Sequence, residues 1–150
     1  MNTFHKTLLA TALMGTTAAA HAQLDFNIGV VSNYLFRGVS QTGNDAAVQG
    51  GVDWSHDSGV YLGTWMSNVD FGGGEKAEVD WYGGIAGDTD GGLGWDVGAL
   101  YDSYAGGGDL AYAELAGSLS YGWLSGGVAY TFWGETSGDT PFDAGDIYAH

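Results

Sequence analysis

The sequence predicts an all-β protein, an antiparallel up-and-down transmembrane β-barrel truncated at its C-terminus. Three observations lead there. Apolar and polar residues alternate with period two along most of the chain, the signature of strands with one apolar face. Short Asp/Gly turns alternate with longer glycine-rich or acidic loops, as in a meander. Aromatic residues recur near strand ends and glycines on polar strand faces, which fits interfacial girdles around a crowded polar interior.

The chain opens with MNTFHKTLLATALMGTTAAAHA, residues 1–22, which read as a signal peptide. Lys6 precedes an apolar stretch from Leu8 to Met14, and Ala20-His21-Ala22 supplies a small-x-small cleavage site. The apolar stretch is far short of the roughly 20 residues that a membrane-spanning helix needs. Residues 23–150 then form the barrel domain.

In the first predicted strand, 24–37, Leu24, Phe26, Ile28 and Val30 oppose Asp25, Asn27 and Gly29, and the phase slips near Val31. Strands at 47–56, 77–87, 93–103, 110–121 and 124–133 alternate in the same way. The strand at 60–70 is ambiguous, because Tyr61 and Trp65 compete with Val60, Leu62 and Met66 for the apolar face. A further strand starts at GDIYAH, where the chain ends.

Charge narrows the function. Beyond residue 22 the chain carries 18 acidic residues against Arg37 and Lys76, a net charge of −16. That surplus disfavours nucleic acid and favours small cations as partners. The chain has no cysteine, so disulfides and thiolate metal sites are excluded. His56-Asp57-Ser58 has the composition of a catalytic triad, but consecutive residues do not converge as a triad does. DTDGG and GGGD resemble fragments of calcium loops and complete none. No phosphate loop or histidine zinc motif occurs. The expectation is a protein that is not an enzyme and has no cofactor.

Two architectures can hold such strands. A soluble sandwich turns the apolar faces inward, whereas a transmembrane barrel turns them to lipid and lines its lumen with the polar faces. In the barrel, the candidate lumen-lining residues are Asp25, Asn27, Arg37, Asp53, Asp80, Asp96 and Glu114. Arg37 would pair there with a carboxylate such as Asp53 on the next strand, either as a structural ion pair or as part of a solute-filtering constriction.

The run Asn27, Gly29, Ser32, Tyr34, Arg37, Gly38, Ser40, Gln41, Thr42 and the run Gln49, Gly50, Gly51, Asp53, His56, Ser58, Gly59, Tyr61, Gly63, Trp65, Ser67, Asn68 resemble the start of the TorF-type porin family of Gram-negative bacteria. The match is specific over residues 26–71 and looser to 133. The resemblance implies a barrel in the cell outer membrane. Its implied role is passive diffusion of small polar solutes or cations through an acidic lumen, without catalytic residues. Outer-membrane lipid and the barrel-assembly machinery would be its partners. Family members run longer than this chain, which ends inside an apparent strand at a non-aromatic His150, hence the expected truncation. The alternative reading is a non-conducting exported β-barrel or a soluble β-sandwich with a structural, adhesive or cation-binding role.

Overall fold

A computed structural model describes residues 22–107, 110–135 and 144–150. The signal-peptide assignment lies, but for Ala22, outside the described residues, as does most of the loop after Glu135. Ten strands are present among the described residues: β1 (Gln23–Val31), β2 (Leu35–Phe36), β3 (Val39–Ser40), β4 (Ala47–Ser55), β5 (Val60–Asn68), β6 (Ala77–Asp88), β7 (Leu93–Ala105), β8 (Tyr112–Tyr121), β9 (Leu124–Gly134) and β10 (Ile147–Ala149). Eight make one antiparallel sheet in the order β1-β4-β5-β6-β7-β8-β9-β10, and β2 with β3 forms a separate small hairpin.

The sheet is open, which overturns the barrel. Closure requires the first strand to bond to the last. Here β1 and β10 are the two edges, and no pairing joins them among the described residues. A lumen for solute diffusion goes with the barrel, and so does a need for barrel-assembly machinery. What the chain builds is an all-β domain held by long-range strand pairing and a largely buried ion pair.

Turn chemistry sets the meander. Gly59, at φ +86°, donates its N–H to the His56 carbonyl at 2.9 Å and closes the turn between β4 and β5. Gly92 does the same to Thr89 at 2.9 Å between β6 and β7. Gly122-Trp123 alone joins β8 to β9, whose ends Tyr121 and Leu124 are directly paired. A bulge between Ala113 and Glu114 then sets Trp133 opposite Ala113 and Thr131 opposite Glu114, with Phe132 as the extra residue.

The predicted first strand is cut short at Val31. The chain then breaks away into the β2–β3 hairpin, whose two-residue turn is Arg37-Gly38 with φ of 47° and 85°. Two positive φ values mark a type I′ turn, which suits the twist of a tight hairpin. Arg37 therefore sits at a hairpin tip rather than in a strand shared with Asp25 and Asn27.

Burial follows the faces in an unusual sense. The apolar face is exposed: Phe26 is 72% accessible, Ile28 84%, Leu62 59%, Val97 57% and Leu119 56%. The polar face holds the buried side chains, including Ser67, Glu78, Asp80, Asp102, Glu114 and Thr131. The β2–β3 hairpin lies across that face. Tyr34, an aromatic residue near a strand end, belongs to no girdle and is buried in a small core with Ala47 and Val69, packed by Val31, Phe36, Trp65 and Tyr104. Strand pairing also settles the ambiguity of β5: Tyr61, Gly63, Trp65 and Ser67 share the polar face, and Val60, Leu62, Thr64 and Met66 the apolar one.

The polar-face glycines have a more particular role than relief of crowding in a barrel. Tyr82 lies flat over Gly63 on the neighbouring strand and donates its hydroxyl to Asp53 on the strand beyond. Tyr61 likewise crosses Gly84 and Gly98 to reach Asp96 at 3.1 Å. A side chain at Gly63 would collide with the Tyr82 ring. Gly63→Ala is expected to destabilise the protein by about 1–3 kcal/mol through ring displacement and loss of that bond. A urea titration that shows no change would refute the role.

Candidate functional site

The sheet's polar face carries Asp25, Asn27, Asp53, Asp80, Asp96 and Glu114, and Arg37 reaches that face from the hairpin tip, although no lumen encloses them. At the edge, Asp25 is exposed and accepts a bond from the Gln23 side chain at 3.1 Å. Asn27 on β1 donates to Asp53 on β4 at 3.3 Å. Asp53 is then bridged by the Tyr82 hydroxyl, and Asp96 by that of Tyr61. Burial and the adjoining carboxylates drive both phenols above their ordinary range, so both remain neutral donors. Burial also raises the Asp96 acid above the usual carboxylate range, against the bond from Tyr61.

Arg37 does not pair with Asp53. Its Nη1 and Nη2 bond the two carboxylate oxygens of Glu114 on β8 at 3.0 and 2.9 Å. The Arg37 side chain is 19% exposed and that of Glu114 only 4%. A fork of this kind is the strong, directional form of the ion pair. Thr131 Oγ1 adds a third bond to Glu114 at 3.0 Å. The guanidinium also lies 4.2 Å from the Tyr148 ring centre on β10 and 4.8 Å from that of Phe36. One hairpin-tip side chain thus ties the hairpin to β8 and to β10.

A second cluster lies beside that pair. Asp80 on β6 and Asp102 on β7 are directly opposed, and Glu78 is two residues along β6 on the same face. Glu78, Asp80 and Asp102 are 2%, 5% and 3% exposed, and each offers a carboxylate oxygen within 4.8 Å of the others. The Tyr34 hydroxyl, carried by the approach to the hairpin, donates to Glu78 Oε1. Tyr104 donates to Asp102 Oδ2 at 3.2 Å. Burial, reinforced by the charge of Glu78, pushes the Asp102 acid up to about 8, with the Tyr112 and Tyr104 hydroxyls only partly offsetting it.

The sequence reading selects Asp80 and Glu114 but neither Glu78 nor Asp102. The missing signal is register. The Thr89–Gly92 turn pairs Asp88 with Gly94, and counting back from it sets Asp80 against Asp102. His56, by contrast, stands in an exposed turn where its Nδ1 meets the hydroxyl of Ser58 at 2.9 Å and accepts from that residue's backbone N–H at 3.1 Å. It organises its own turn.

No curated protein and no solved structure matches the chain. The family comparison does not support a TorF-type porin identity, because the model that matches is that of a distinct family and the sheet does not close. With a match that runs over residues 15–148, the chain belongs to the family described as "Bacterial protein of unknown function (Gcw_chp)".

Proposed function

We propose that this is an exported, non-catalytic β-sheet protein with a structural, adhesive role, which joins its apolar face to that of a second copy. The observation that carries the reading is the exposed apolar face, with large side chains in the open from Phe26 and Ile28 on β1 to Tyr130 on β9. Monomers seldom expose contiguous apolar patches beyond roughly 300–600 Å², and this face crosses seven long strands. Two such sheets pack face to face in an aligned sandwich, with their side chains interdigitated. The strand carboxylates occupy the opposite face, so two acidic chains can meet here without apposed charge. The leader-like segment 1–22 supports delivery out of the cytoplasm.

Sedimentation of the detergent-free protein tests this. A dimer is expected at micromolar concentration. Ile28→Glu and Val97→Glu change exposed side chains on β1 and β7, so both variants should keep the wild-type far-ultraviolet spectrum and sediment as monomers. A monomeric wild type, or dimers indifferent to both charges, would overturn the reading. So would a wild type that floats with lipid vesicles instead of dimerising.

A further inference from the structure

We propose that β1 is a docking edge for a second copy of this chain, whose own β1 pairs with it antiparallel about a two-fold axis at Asn27. β1 is one edge of the eight-stranded sheet, nine residues long and paired to β4 without a bulge. Edges of that length are ordinarily blunted by proline, lysine, a bulge or a covering segment. Gln23–Val31 holds no proline and no lysine, and its one charge is Asp25. Nothing covers it among the described residues: Gln23 through Val30 are exposed, and a side chain added at Gly29 would meet no atom within 4 Å. The opposite edge, β10, is blunted by its length of three residues.

The ladder identifies the backbone groups that β1 offers. A strand residue turns its N–H and C=O toward the same neighbour, and successive residues alternate. The Val48 N–H on β4 is turned toward β5, where it bonds Asn68 Oδ1 at 2.7 Å. Just past β4, the His56 N–H bonds the Val60 carbonyl at 2.9 Å. The even-numbered residues of β4 therefore face β5, and the odd-numbered ones face β1. Their partners are the odd-numbered residues of β1. Leu24, Phe26, Ile28 and Val30 are left with N–H and C=O groups directed away from the sheet.

Those groups are self-complementary, which selects a second copy as the occupant. With the axis at Asn27, Leu24 stands opposite the second copy's Val30 and Phe26 opposite its Ile28. Every outward residue then exchanges both backbone bonds, and the whole strand is engaged, from Gln23 opposite Val31 onward. The large apolar side chains meet on one face. On the other, Asp25 meets Gly29 and Asn27 meets its own copy. An axis at Asp25 would instead oppose two carboxylates, and like charges directly across a ladder destabilise it. Backbone bonds drawn from water have a small net worth, so this contact forms at higher concentration than the face-to-face pair. It needs no apposed apolar face and stands or falls independently of that pair. Where both form, each copy has two partners and face-to-face pairs join into an extended assembly.

Disulfide trapping tests the contact, since the chain has no cysteine of its own. On the axis, Asn27 makes a non-hydrogen-bonded pair whose Cα atoms lie about 4.5 Å apart, inside the roughly 4.4–6.8 Å that a disulfide spans. Asn27→Cys, oxidised with copper-phenanthroline at millimolar protein concentration, should run as a covalent dimer on a non-reducing gel. Asp25→Cys is exposed on the same face of the same strand and should stay monomeric. In this register its two thiols are held roughly 13 Å apart, at about 3.3 Å per residue. Adding Val97→Glu, which removes the face-to-face contact, should leave the Asn27→Cys cross-link in place, so the two contacts fail separately. Phe26→Pro deletes an outward N–H and spares the ladder to β4, so it should abolish the Asn27→Cys cross-link, whereas Phe26→Ala should not. No covalent dimer from Asn27→Cys would overturn the proposal. Equal cross-linking of Asp25→Cys would overturn it as well, because the thiols would then meet by random collision.

Discussion

Arg37→Ala is expected to lower the unfolding free energy by about 3 kcal/mol or more, the usual cost of leaving one partner of a buried ion pair uncompensated. Glu114 is 3% exposed, and its carboxylate is held by the Arg37 fork and by Thr131; the Thr131 hydroxyl alone cannot balance the charge. The same truncation removes the guanidinium from the Tyr148 ring and so weakens the hold on the edge strand β10. Arg37→Lys keeps the charge but not the planar fork, and its loss should be intermediate. The double variant Arg37→Met, Glu114→Gln should be less damaging than Arg37→Ala, because no uncompensated charge stays behind. Urea unfolding at constant m value measures all three. A loss below about 1 kcal/mol for Arg37→Ala would place this pair with ordinary surface pairs and remove the tie between hairpin and sheet.

Much of the sheet was legible because alternation is a local property. A two-residue period with Asp/Gly turns is enough to locate β4 through β9 to within a residue or two at most of their ends. Arg37 shows where locality fails. The phase slip at Val31 signals a break, but nothing local to it says that the chain folds into a hairpin whose tip meets a carboxylate 77 residues away. Closure fails for the same reason. Each strand has the same pattern in an open sheet as in a barrel, and only the partner of the last strand separates them.

The acidic centre lies between these cases. Asp80 and Glu114 stand out as polar-face residues, yet the pattern alone ranks them no higher than Asp25 or Asp53. What sets Glu78, Asp80 and Asp102 apart is that register brings them together and the hairpin covers them. Glycine spacing carries a comparable non-local message. Gly63 weakens β5 as an isolated strand, but it is where Tyr82 crosses to Asp53.

Burial of the acidic centre predicts an inverted pH dependence. Asp102 is raised from 3.8 to about 8, by desolvation first and by the charge of Glu78 second. It is faced by Glu78 and Asp80 from β6, by Tyr104 from its own strand, and by Tyr112 and Glu114 from β8. Between those two values the unfolded chain has released the Asp102 proton and the folded chain has kept it. Folding then binds a proton, so stability contributed by this group is complete below about pH 4 and is lost as pH rises through about 8. The loss is on the order of a few kcal/mol, since a tenfold change in proton affinity corresponds to about 1.4 kcal/mol. Asp102→Asn has no proton to lose, so its stability relative to the wild type should climb steadily between pH 5 and pH 8, at a slope approaching 1.4 kcal/mol per pH unit. A flat difference across that window would mean that Asp102 is already ionised in the folded protein, and another group would have to neutralise the cluster. A climb that persists when Glu78→Gln is added, but with its midpoint moved to lower pH, would identify the Glu78 charge as the second cause of the raised pKa.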